Sequence, residues 1–156
     1  MRVRDWMKNE VATCTPGDGL DGAVKVMKDE GYGCIVVVDE RRRPVGIVTD
    51  RDASMTALTS GRPLREIRVS DAMSSPTTNC LQEDDVAQAA STMGRLRIRR
   101  LPVVNRGGFL VGLLALDDLA RRTARDPDSS RCDQEPQTPV RHRVGSLAAR
   151  QADAEC

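Results

Sequence analysis

Slid over itself, the chain matches best at an offset of 66 residues without a gap, with residues 3–52 lying over 69–118. Val3, Asp5 and Met7 face Val69, Asp71 and Met73; Cys14 faces Cys80, Asp18 faces Asp84, Ala23 faces Ala89 and Met27 faces Met93. Val37-Val38 faces Val103-Val104, Val45-Gly46 faces Val111-Gly112, and Asp52 faces Asp118. Twelve of the fifty aligned positions are identical, where average composition gives roughly 3 or 4. Identities so evenly spread mark a duplication, so whatever the chain folds into is built twice.

Each copy predicts the same elements. Val11–Cys14 is short and β-prone, and Pro16-Gly17 turns the chain. Leu20, Ala23, Val24 and Met27 then fall on one face of a helix, as do Val86, Ala89, Ala90 and Met93. Asp18 and Asp84 are placed to cap these helices, and Gly31 to end the first. Cys34–Val38 is a continuous apolar run of strand length, predicting a strand buried on both sides. Asp39–Arg43 is a polar turn and Val45–Val48 a second strand; Leu101–Val104 and Leu110–Leu114 match them across Arg106-Gly107-Gly108. A second helix follows from about Asp50 and again from about Leu116. The order is β-α-β-β-α, twice, an α+β architecture, with residues 60–68 as connector.

The division expected is 1–62 for the first repeat, 63–125 for the second and 126–156 for a polar, flexible tail. One repeat alone buries too little surface to be secure, so the two are expected to share a core about a pseudo-two-fold axis. The tail mixes Asp, Ser, Pro, Gln and Arg as disordered segments do; Val140, Val144 and Leu147 allow one short docking helix there.

Composition narrows the function. With 24 basic and 23 acidic residues and a net charge of +1, nothing pulls the whole chain toward nucleic acid or an anionic membrane. Trp6, Tyr32 and Phe109 are the only aromatics, too few for a base-stacking platform. No apolar run approaches the ~20 residues of a membrane helix. The five cysteines form no CxxC pair and the single histidine, His142, lies far from all but Cys132, which argues against a metal site. The start has no apolar signal core, so a cytoplasmic protein with free thiols is expected. No catalytic residue is assigned: no cysteine has a histidine near it in sequence and no Gly-x-Ser-x-Gly elbow occurs.

Two local motifs stand out, one in each copy of the duplication. Gly46-Ile-Val-Thr49-Asp50-Arg51-Asp52 joins the second strand to the second helix, and Arg99-Arg100-Leu101-Pro102-Val103 opens a strand. With the β-α-β-β-α order and the Val-x-Asp-x-x-Met-like lead-in, they resemble the CBS-domain pair, or Bateman module, over about residues 2–122. The resemblance implies binding without catalysis: an adenine nucleotide (AMP, ADP or ATP) or S-adenosylmethionine held in a cleft between the repeats, its occupancy regulating another protein. It further implies a stand-alone regulatory module, expected to be a homodimer, with no other cofactor.

The residue chemistry fits that implication. The Asp52 carboxylate can accept two hydrogen bonds from a ribose cis-diol. The Thr49 hydroxyl, with Asp50 beside it and the N–H groups opening the next helix, suits a phosphate. Val11, Thr13, Gly33, Cys34 and Ile35 are expected to flank adenine, and Arg99 or Arg100 to meet a phosphate from the other repeat. Thr49-x-x-Asp52 is also a capping-box pattern, and both roles can coexist. In the second repeat Ala115 stands at the Thr49 place and Arg99 at the Gly33 place, so one competent site is expected at Thr49–Asp52 and a weak or vacant one around Asp118. The alternative reading is a ligand-free interaction adaptor, which predicts indifference to changes at Thr49 or Asp52.

Overall fold

The computed structural model describes residues 1–125; the expected tail lies outside them. In chain order the elements are β1 (Thr13–Cys14), α1 (Leu20–Glu30), β2 (Cys34–Val38), β3 (Pro44–Thr49), α2 (Asp50–Ser60), α3 (Val69–Ala72), β4 (Cys80–Leu81), α4 (Val86–Leu96), β5 (Arg100–Val104), β6 (Leu110–Ala115) and α5 (Leu116–Arg125). Short 3-10 turns lie at Val3–Asp5 and Leu64–Glu66. The expected β-α-β-β-α order is therefore present twice.

Each repeat forms its own three-stranded sheet, β1-β2-β3 and β4-β5-β6, with a parallel first pair and an antiparallel second. The offset of 66 survives into the finest detail. Both central strands slip register at the same place, Val37/Val38 and Val103/Val104. In the first hairpin, Asp39 Oδ1 accepts from the N–H groups of Arg41 and Arg43. In the second, Asn105 Oδ1 accepts from Gly107 and Phe109. The left-handed residue is Arg42 in one turn and Gly108 in the other. The all-apolar β2 is buried at every position, as a central strand covered on both faces must be.

The capping expectation is corrected. Gly19 is the N-cap of α1, and Asp85 that of α4, where its side chain accepts from the Ala87 N–H. Asp18 and Asp84 instead accept from the N–H groups of Thr15 and Leu81, at 2.8 Å each, and so close the turn before the helix. A short acidic side chain takes the nearest open donor, and here that donor lies upstream. Gly31 ends α1 with φ 68°, the left-handed conformation that favours glycine.

Contacts group the described residues into two units: Val11–Thr77 forms one, and Met1–Glu10 joins the described residues after Thr77 in the other. The lead-in Val3-Arg-Asp thus serves the second repeat. Val3 N–H donates to Asp84 O at 2.9 Å and Arg4 N–H to Gln82 O at 3.0 Å. Val3 is fully buried in the second core, with Cys80, Met93, Leu101 and Leu114. The first unit is closed identically by its own downstream copy, Val69 N–H donating to Asp18 O and Ser70 N–H to Pro16 O. Its core gathers Leu20, Met27, Ile35, Val48, Ile67 and Val69.

This crossing explains the motif glycines. A Cβ on Gly46 would lie 2.9 Å from both Ser74 O and Met73 Sδ; one on Gly112 would meet Lys8 O at 2.9 Å and Met7 Sδ at 2.5 Å. The lead-in backbone runs directly over each glycine, so no side chain fits. Gly46→Ala is expected to cost about 1–3 kcal/mol of stability in chemical denaturation, as overpacking does. Gly17→Ala is its control, since a Cβ there meets nothing within 4 Å.

Candidate functional site

In the first unit, β3 ends on Thr49, which pairs with Cys34 at the start of β2. Thr49 keeps an extended backbone (φ −109°, ψ 165°) and is the N-cap of α2. Its hydroxyl accepts from the Asp52 N–H at 3.1 Å and donates to Asp52 Oδ2 at 2.8 Å, while its own N–H donates to the same oxygen at 2.9 Å. The capping box is therefore formed. Asp52 Oδ1 carries neither of those bonds. Asp50 N–H faces Gly33 O at 3.5 Å, so one corner gathers Gly33, Cys34, Thr49, Asp50 and Asp52.

The other expected residues sit along the adjoining strands. Ile35 pairs with Val48, Thr13 with Val36, and the Val36 N–H donates to Ala12 O at 3.2 Å. Val11 and Ile35 are buried and Thr13 is half-buried. At the start of α2 the Arg51 N–H is engaged by Asp50 Oδ1 at 2.8 Å, and that of Asp52 by Thr49. Two helix-opening donors thus already have internal partners.

The second unit repeats the backbone and changes the chemistry. Arg100 pairs with Ala115, and Leu116 N–H donates to Arg99 O at 2.9 Å, as Asp50 does to Gly33. Arg99 binds its own unit's Asp117 at 2.5 Å. That bond, with the charges of Arg100 and Arg121 behind it, holds the Asp117 carboxyl below the usual range. Asp118, mostly buried, has the Lys8 ammonium 3.2 Å from its Oδ2. Sequence reasoning missed Lys8, which belongs to no motif. Its signal is the alignment itself, which sets Lys8 over Ser74. A shallow cleft of about 370 Å³ in this unit is lined by Asn79, Gln88, Ser91, Thr92 and Arg95; its lining includes none of Arg99, Arg100 and Asp118.

The buried thiols are chemically quiet. Burial, with the charge of Asp18 adding to it, pushes Cys14 up to about 12. Burial and Asp84 do the same to Cys80, against one backbone hydrogen bond that lowers it. At pH 8 such a thiol is thiolate about one time in ten thousand. Iodoacetamide followed by peptide mapping is expected to leave both unlabelled in the folded protein and to label both in denaturant.

The comparisons with known proteins bear on family and fold. Residues 3–55 and 69–125 each match the CBS domain family. The CBS domain-containing protein YhcV of Bacillus subtilis is 35% identical over 118 residues, covering 76% of this chain and 82% of YhcV. Protein MK0525 of Methanopyrus kandleri is 30% identical over 117 residues, covering 75% of this chain, which spans only 60% of that protein. The crystal structure of CBSX2 in complex with AMP superposes with a TM-score of 0.68 at 23% identity, covering 81% of this chain and 98% of CBSX2, a likeness of fold. Two family matches, two complete β-α-β-β-α units and a gapless duplication have one reading: the chain belongs to the CBS-domain family and carries its domains as a tandem pair.

Proposed function

We propose that the chain is a regulatory module that senses an adenine nucleotide of the AMP, ADP or ATP class through the corner formed by Thr49, Asp50 and Asp52. The observation that carries this reading is the Asp52 carboxylate, fixed by the Thr49 capping box with both bonds on Oδ2. The box holds a half-buried acceptor in place, and Oδ1 is the oxygen left for a ribose diol. Gly33, Cys34 and Ile35 offer the adjoining apolar strand, with Val11 and Thr13 beside it. That a protein of this fold has been solved with AMP makes AMP the first ligand to try.

The same helix links the site to a contact surface. α2 begins at the site and exposes Met55 and Leu58 one turn apart, at 50% and 78% accessible. A second copy of the chain is the partner of this surface, so that ligand at the head of α2 bears on association along it. Thermal shift with AMP, ADP, ATP and S-adenosylmethionine tests the ligand class. A rise in melting temperature with at least one adenine nucleotide is expected, and indifference to all four at millimolar concentration contradicts it.

A further inference from the structure

Lys8 and Ser74 occupy the same station in the two units. Lys8 N–H donates to Leu113 O at 2.9 Å and Lys8 O accepts from Leu113 N–H at 3.0 Å; Ser74 makes the same pair of bonds to Ile47, at 2.8 and 3.1 Å. The backbones are interchangeable, and the side chains differ by a full charge. At the second station an ammonium lies 3.2 Å from the Asp118 carboxylate, itself only 20% exposed. At the first, the residue at that station is a short neutral serine, and Asp52 is held by Thr49 alone among the bonds described above.

We propose that Lys8 occupies the carboxylate of the second unit and closes it to a diol-bearing ligand, confining nucleotide to the first unit at one per chain. The chemistry is competition for a single acceptor. A ribose diol reaching Asp118 meets a carboxylate whose charge is already balanced by an ammonium at Oδ2, whereas beside Asp52 the described residues place no cation, only the Thr49 cap. The adjacent carboxylate is engaged too, since Arg99 holds Asp117. Both acidic groups opening α5 are thus neutralised by cations of their own unit. Ala115 alone removes a hydroxyl; Lys8 adds a resident counter-ion, a separate obstacle.

The inference rests on the adenine-nucleotide reading, and calorimetry with AMP separates the two. Wild type is expected to bind one equivalent. Lys8→Ser with Ala115→Thr, which restores the hydroxyl and removes the ammonium, is expected to bind two, the second at least about fivefold tighter than in Ala115→Thr alone. Equal second-site affinity in those two proteins, one equivalent in every protein, or two in wild type overturns the inference and leaves the reading standing. No AMP bound by any protein overturns both. Because Ala115 is buried, the reciprocal exchange is made at exposed Ser74. Ser74→Lys is expected to weaken AMP binding at least about fivefold and Ser74→Gln to leave it unchanged. Affinity in Ser74→Lys equal to or above wild type also overturns the inference.

Discussion

Asp52→Ala is expected to lower AMP affinity by about 100-fold or more, since two hydrogen bonds to a charged acceptor are each worth about 1.5–3 kcal/mol. The same substitution removes the acidic half of the capping box, so stability is expected to fall by about 1 kcal/mol. The two effects separate by their size. If Asp52 only caps α2, the variant melts slightly earlier and binds AMP as wild type does. If it also holds ribose, binding collapses while most of the stability remains. Calorimetry and a denaturation curve on one preparation read both. The adaptor alternative predicts no AMP binding in either protein and only the small loss of stability.

Removing residues 1–10 is expected to strip the second unit while sparing the first. Val3 is fully buried among Leu101, Leu114 and Met93, and Trp6 and Met7 pack against that cluster. A side chain of this size contributes about 1.5–3 kcal/mol when fully buried, and the segment also supplies the backbone bonds to Asp84, Gln82 and Leu113. The loss is of order 5 kcal/mol, comparable to the whole stability of a small domain. Hydrogen exchange followed by fragment mass analysis locates the damage. Amides of β5 and β6 are expected to lose protection first, and those of β2 and β3 to keep it. Protection lost first in β2 assigns the lead-in to the wrong unit.

Which features were legible in the sequence has a physical logic. Strands and helices were, because burial imposes a period of two, a continuous run or a period of 3.6, and the duplication presents each pattern twice. Cys34–Val38 and the Leu20, Ala23, Met27 face are of this kind. The exchange of lead-in segments was not. Val3 and Val69 share the same Arg-Val-x-Asp-x-Met frame, and the surfaces they can cover are near copies, so no local pattern says which copy each one chooses. The caps failed for a different reason: Asp18 and Asp84 have donors both upstream and downstream, and the choice depends on turn geometry that composition does not express.

The site divides the same way. The Thr49-x-x-Asp52 capping box was legible because its spacing is the bond. The pairing of Arg99 with Asp117 was not, since 18 residues separate them and only strand register brings them together. Lys8 lies still farther from Asp118 in sequence, and only the crossing of the lead-in delivers it.

The most direct test of a nucleotide site at the Thr49–Asp52 corner is a titration of labelled protein with AMP, followed by amide chemical shifts. Saturable shifts are expected at Gly33, Cys34, Ile35 and Thr49 through Asp52, with Asp118 and its neighbours in the second unit unmoved. A protein whose Thr49–Asp52 amides stay still while AMP saturates another surface, or in which AMP moves no amide at all, contradicts the account.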